Sequence, residues 1–210
     1  MSIKCAVVVS HPAGGGSLIA KTLMAMGFKT PGIPSDETND WNLVAVNQIM
    51  CDRAHKPKIS LGMAKHAMEP MTGYIDDKIK EGQNWIMHDP MLCMTFFEFA
   101  QLLKEKGVDY KIIIALRKPH YSALEIVRSD KEWTLEEASS LLGKYIVARS
   151  LNTDRFYLEN KEDVSRVLHL DVNSLLDDTD KAVELLATEI GVELTDEAKE
   201  AIGKLLKPAS

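Results

Sequence analysis

The sequence predicts an α/β fold of three layers, a parallel sheet with helices on both faces. Three observations predict it. Apolar, β-branched runs at Ile3–Val9, Trp85–His88 and Lys111–Leu116 read as strands buried on both faces. Stretches of helical character follow each run, which makes strand–helix–strand crossovers the natural connection. Each run also stops abruptly in loop chemistry: Ser10–Ser17, His88-Asp89-Pro90 and Arg117-Lys118-Pro119.

The elements follow in order. Ile3–Val9 is the first strand, and a glycine turn leads to a helix over Leu18–Met26 closed by Gly27. A Pro/Gly/Asp loop spans about 29–40, and a helix is predicted over 41–55. Residues 52–66, with Arg53, Lys56, Lys58, Lys65, His55 and His66, read as a basic, mobile connector, and 70–81 as a helix. Trp85–His88 is a short strand, followed by a helix over about 91–106 that ends at Gly107. Lys111–Leu116 is the clearest strand, and a helix follows Pro119. Thr134, with Glu137 three residues later, forms a capping box that opens a helix to about 155. Val167–Leu170 is a last short strand. Asp180–Ile190 and Asp196–Leu206 are amphipathic acidic helices.

The 210 residues read as a single domain over 1–210, with about 160–210 as its acidic helical part. Net charge is −6 and uneven: residues 1–150 hold 18 Lys and Arg against 17 Asp and Glu, residues 151–210 hold 7 against 14. This balance argues against nucleic acid and against an anionic membrane surface as partners, but leaves room for a local anion site in the near-neutral part. No apolar run approaches the ~20 residues of a membrane helix, and no leader is evident. Cys5, Cys51 and Cys93 are odd in number and scattered, which suggests neither a disulfide framework nor a zinc site, so a cytoplasmic location is expected. His55 and His66 lack convincing metal spacing, and no metal is expected. The oligomeric state is not written in the sequence.

Ligands of open parallel sheets bind beyond the carboxyl ends of the strands, which directs attention to the three loops. Gly14, Gly15 and Gly16 allow successive N–H groups to point inward as a nest for anionic oxygens, at a helix N-terminus. Ser17 can donate a hydroxyl or cap that helix, and Lys21, one turn later, can reach back toward an anion. The plainer alternative is a tight strand–helix turn with a solvated Lys21. The Walker A pattern fails, because glycine stands where its lysine belongs, and this disfavours a nucleotide kinase or an ATPase.

VVVSHPAGGGSLIAKTLMAMGF resembles the first strand, phosphosulfate loop and first helix of the sulfotransferases, nearest their bacterial branch. WIMHDPMLCMTFFEFAQLL is similar to that branch's W-x-x-K-D-P-R segment and the helix after it. IIIALRKPHYSALEIVRSD resembles the strand and R-x-P motif that hold the donor's 3′-phosphate, and TLEEASSLLGKYIVARSL the long helix that follows. LHLDVNSLLDD and ATEIGVEL resemble the usual tail, so the likeness spans nearly the whole chain. It implies a sulfotransferase-like fold of the P-loop type. It also implies 3′-phosphoadenosine 5′-phosphosulfate as donor and sulfuryl transfer to a small-molecule acceptor. Gly14, Gly15, Gly16, Ser17, Lys21, Arg117 and Ser122 are then the donor-binding residues, joined by His11, whose place in the loop lets it touch a phosphate or an acceptor; the alternative for His11 is an exposed loop histidine.

The chain departs from the pattern at chemically important positions. Ala13 replaces the loop's basic residue and Gly14 its serine; His88 replaces lysine and Met91 arginine; Glu125 stands where a serine meets the 3′-phosphate, with Ser122 as the nearby substitute. Each charge-assisted hydrogen bond lost costs about 1.5–3 kcal/mol. His88 is the first candidate for the base that takes the acceptor's proton, since an imidazole of pKa about 6.5 suits neutral-pH transfer. The alternative is a histidine that only bonds a carbonyl at a strand end. Glu37 and Asp40 are further catalytic candidates, although Asp40 can simply cap a helix. Arg117 is expected to reach a phosphate or a carboxylate such as Asp89. The competing reading is a degenerate module of the same fold that binds a nucleotide, a phosphate or a partner without chemistry.

Overall fold

A computed structural model describes residues 3–30, 43–48 and 61–206, the side chains of 61–68 excepted. Among them, four strands form one sheet: β1 (Cys5–Val9), β2 (Trp85–His88), β3 (Tyr110–Leu116) and β4 (Val167–Asp171). The order is β2-β1-β3-β4, and every neighbouring pair is parallel. The predicted α/β fold with a helix-covered parallel sheet is the observed one.

The continuous apolar runs are explained by burial on both faces. Cys5, Val7 and Val9 point into one core with Trp85, Met87, Ile112 and Ile114. Ala6 and Val8 point into the other with Ile86, Ile113 and Ala115. The first core is closed by α2 (its described part, residues 43–48), α3 (Leu61–Glu81), α4 (Leu92–Glu105) and Phe156 of α6 (Leu135–Glu159). The second is closed by α1 (Gly16–Ala25), α7 (Val172–Asp177), α8 (Thr179–Ile190) and α9 (Asp196–Leu206). Each large side chain fully buried here, such as Phe96, Phe99, Ile19 or Leu23, contributes about 1.5–3 kcal/mol relative to exposure. The remaining helix, α5 (Pro119–Ser129), packs on α6 through a small cluster of Ala123, Ala138 and Leu142. Thr134 caps α6 in the anticipated box: Glu137 N–H donates to Thr134 Oγ1 at 3.2 Å, and Thr134 N–H to Glu137 Oε2 at 2.9 Å.

Three expectations are corrected. The helix predicted over 70–81 begins at Leu61, so 61–66 of the supposed connector is helical. Pro70 lies inside α3, and the preceding LGMAKHAME is rich in strong helix formers. The helix predicted to end near 155 runs on to Glu159, and a 3₁₀ turn at Lys161–Arg166 joins it to β4. The short α7, capped by the Asp171 carboxylate on Asn173 N–H, escaped prediction. Residues 31–40 of the loop and 52–60 of the connector lie outside the described residues. No described helix is long and apolar enough to cross a membrane.

The parallel register puts the carboxyl ends of all strands along one edge. Val8 lies beside His88, Val9 beside Ile114 and Leu116 beside Asp171. The loops that leave these ends build the site.

Candidate functional site

A cleft of about 290 Å³ opens at this edge, near the lower end of the range for small-molecule sites. Its walls come from the loop after β1, the end of β2, Arg117 and Glu125 beyond β3, and Val172 of α7. The sequence-predicted residues His11, Gly14, Gly15, Gly16, Ser17, His88 and Arg117 all line it. Lys21 and Ser122 are not in its lining; Lys21 is solvent-exposed and Ser122 fully buried behind the loop. Glu37 and Asp40 lie outside the described residues.

The glycines are required by close approach. A Cβ on Gly14 would stand 2.7 Å from the His11 carbonyl oxygen. Gly15 holds φ +88°, and a Cβ there would meet Val172 Cγ1 at 2.6 Å. A Cβ on Gly16 would stand 2.5 Å from His88 Nε2 and would run into the Ser10 hydroxyl. The β2 histidine is thereby seated against the first turn of α1. The cap of that helix is Gly15, without a side-chain cap bond; Ser17 sits exposed within the first turn and does not cap.

The nest is smaller than the sequence suggests. Gly14 N–H donates to the His11 carbonyl at 2.9 Å, and Leu18 N–H to the Gly15 carbonyl at 3.1 Å, so both are spent in the turn. Gly15, Gly16 and Ser17 carry the N–H groups that the start of a helix leaves without intrahelical acceptors. These three, with the positive end of the α1 dipole, form the anion-favouring feature of the cleft.

His11 is 1% exposed. Its Nδ1 lies 2.9 Å from the Pro12 carbonyl, and a carbonyl only accepts, so Nδ1 carries the proton. Nε2 is then a lone-pair acceptor, buried and without a hydrogen-bond partner. Burial holds the pKa of His11 below its ordinary value; the Pro12 bond opposes this, while the charges of Arg149 and Arg117 add to it. His11 is thus a neutral base at neutral pH.

Arg117 does not reach Asp89. Strand β1 lies between β2 and β3, so the two side chains leave strand ends on either side of it. Arg117 Nη1 instead donates to the Ala13 carbonyl at 2.8 Å, and Ser122 Oγ donates to the same oxygen at 3.0 Å. Ala13 presents that carbonyl from a left-handed conformation, φ +53°. Arg117 Nη2 also lies 3.9 Å from Glu125 Oε2. Asp89 accepts from Asn47 Nδ2 at 2.8 Å and from Met91 N–H at 3.0 Å, and Thr95 Oγ1 donates to Asn47 Oδ1 at 2.5 Å. Burial raises the Asp89 pKa against those two bonds. This network ties α2 to the end of β2.

Three contributors were not singled out from the sequence. Ser10, 2% exposed, packs against Gly16 and is marked only by being the first polar residue after an apolar run. Arg149, on α6, donates Nη1 to the Ala115 carbonyl at 3.0 Å, and no carboxylate among the described residues pairs with it. Val172 had no sequence signal, since its role is to fill the space left by Gly15.

No family model and no curated protein matches the chain. Solved structures do. The sulfotransferase domain from the Synechococcus olefin synthase is similar with a TM-score of 0.60 at 14% identity, covering 94% of this chain and 76% of that one. The sulfotransferase domain from the curacin biosynthetic pathway gives 0.54 at 13% identity, covering 96% and 78%. A sulfotransferase from Mycobacterium tuberculosis gives 0.51 at 14%, covering 97% and 71%. At such identities the likeness establishes the fold, which is sulfotransferase-like.

Proposed function

We propose that this sulfotransferase-like chain binds the phosphosulfate end of a nucleotide donor in the cleft and transfers its sulfuryl group to a hydroxyl or amine of a small acceptor. One observation carries the reading: the open N–H groups of α1, both buried histidines and Arg117 line a single cleft at the carboxyl edge of the sheet. The donor that the sequence resemblance implies is 3′-phosphoadenosine 5′-phosphosulfate. Its 5′ end fits the residues present, because the glycine cradle is closed to any side chain and the helix start favours an oxyanion.

In the transfer, the bond between sulfur and the donor's phosphate oxygen breaks as a bond from sulfur to the acceptor forms. The donor leaves as a phosphate, and the acceptor's proton passes to a base. The α1 N–H groups balance charge on the phosphosulfate, in the manner of a preorganised oxyanion site. His88, seated against Gly16, is the proposed base. The Nε2 lone pair of His11 offers a second acceptor in the same wall.

The test is transfer from a sulfur-labelled donor to a panel of hydroxyl and amine acceptors. His88→Ala is expected to lower the rate about 10²–10⁴-fold with donor affinity nearly unchanged. Unaltered transfer by that variant moves the base role to His11, Glu37 or Asp40. A second reading, a binding module without chemistry, is favoured by the engagement of Arg117 and Ser122 with the Ala13 carbonyl. Absence of transfer by folded, ligand-binding wild type decides for it.

A further inference from the structure

We infer that the cleft selects a nucleotide with free ribose hydroxyls and discriminates against one carrying a 3′-phosphate, and that Glu125 is the residue that decides. The inference rests on the oxyanion reading of the α1 N-terminus and names the ligand class for it. Among the described residues, the charged side chains lining the cleft are Arg117 and Glu125, and their charges cancel. Arg117 is already engaged on one side. Its Nη1 is bound to the Ala13 carbonyl, where Ser122 Oγ also donates, so two donors converge on one loop oxygen. The loop thereby fills with its own backbone the position where a second anionic group would find its partners. Glu125 stands 3.9 Å from Arg117 and adds a carboxylate to the same wall.

A carboxylate at such a wall accepts hydrogen bonds from vicinal hydroxyls and repels phosphate. The same logic lets an acidic residue in dinucleotide-binding folds choose a ribose diol over its phosphorylated form. The predicted ligand therefore has one anionic end, held at Gly15–Ser17, and an unphosphorylated ribose near Glu125. A nucleoside 5′-phosphosulfate or 5′-phosphate meets that description. The 3′-phosphorylated donor does so only at its 5′ end.

The experiment is calorimetric titration of the full chain with adenosine 5′-monophosphate, adenosine 3′,5′-bisphosphate and inorganic sulfate. It uses wild type, Glu125→Ser and Glu125→Gln, with folding verified by circular dichroism. Wild type is expected to bind the monophosphate about tenfold more tightly than the bisphosphate, the size of one partly screened charge repulsion. Both variants should shrink that ratio by at least about fivefold, and Glu125→Gln does so without changing shape. A wild type that prefers the bisphosphate, or a ratio unmoved by either variant, overturns this inference and leaves the oxyanion site standing. A chain that binds none of the three ligands overturns both.

Discussion

Replacing Gly16 by alanine tests the architecture of the cleft with a single methyl group. Gly16 is the first residue of α1 and has no left-handed φ, so alanine suits its backbone and by propensity alone would add up to about 1 kcal/mol of stability. The space forbids it. The new Cβ would stand 2.5 Å from His88 Nε2 and 2.9 Å from Ser10 Cβ, about an ångström inside ordinary contact. Ser10 and His88 are 2% and 1% exposed, so neither can swing into solvent. Overpacking costs about 1–3 kcal/mol, and a contact this short between buried groups belongs in the upper part of that range, leaving a net loss of about 1–2 kcal/mol. In a chain of this length that lowers the melting temperature by about 2–8 °C. Gly143→Ala is the matched control: it lies inside α6 with nothing within 4 Å of the added carbon, and it should stabilise by about 0.5–1 kcal/mol. Scanning calorimetry with and without sulfate reads both effects, and Gly16→Ala should also lose the upward shift expected of wild type in sulfate. A Gly16→Ala protein that melts with or above wild type and keeps the sulfate shift would refute the close seating of His88 on α1.

Two further outcomes follow from the loop. Ala13→Gly relieves a left-handed alanine and should raise stability by about 1 kcal/mol, or about 2–4 °C in melting temperature, without loss of the Arg117 clasp. Burial holds the His11 pKa below its ordinary value, so the unfolded chain takes up a proton where the folded chain does not. Stability from this group is therefore present above about pH 6.5 and is lost as pH falls from there through the lower folded-state pKa. Chemical denaturation at stepwise lower pH should show wild type losing more than His11→Asn, which keeps a donor to the Pro12 carbonyl but cannot titrate; parallel curves would rule His11 out as the buried neutral base.

The sheet was legible because burial on both faces leaves a plain mark, an uninterrupted apolar run ending in Gly, Pro or Asp. Trp85–His88 was read to the residue, and β3 lacked only Tyr110. Helix α3 was misjudged because the basic residues of 52–66 read as a connector, while the strong helix formers of its last part, from Leu61, continue into 70–81 as one helix. The glycine loop and the two histidines were visible as residue types. What they do depends on backbone direction, which side-chain chemistry does not encode. Nothing in SHPAGGGS says that the Ala13 carbonyl turns toward Arg117, or that Gly14 spends its N–H on His11. Arg149 was hidden for another reason: it lies far along the chain, on a long helix that leaves none of the three strand ends to which the sequence pointed.

The contact between Gly15 and Val172 has a consequence for the order in which the protein is made. The glycine loop leaves the ribosome more than a hundred residues before the valine that fills the space beside it, which belongs to α7, beyond β4. A nascent chain that already holds β1, β2 and β3 has the full glycine motif and an open wall where α7 will close it. Such long-range closure comes late in synthesis and folding. Ligand can stabilise only chains that have completed this wall, so its effect on yield during expression falls on the closure by α7 rather than on the sheet that precedes it.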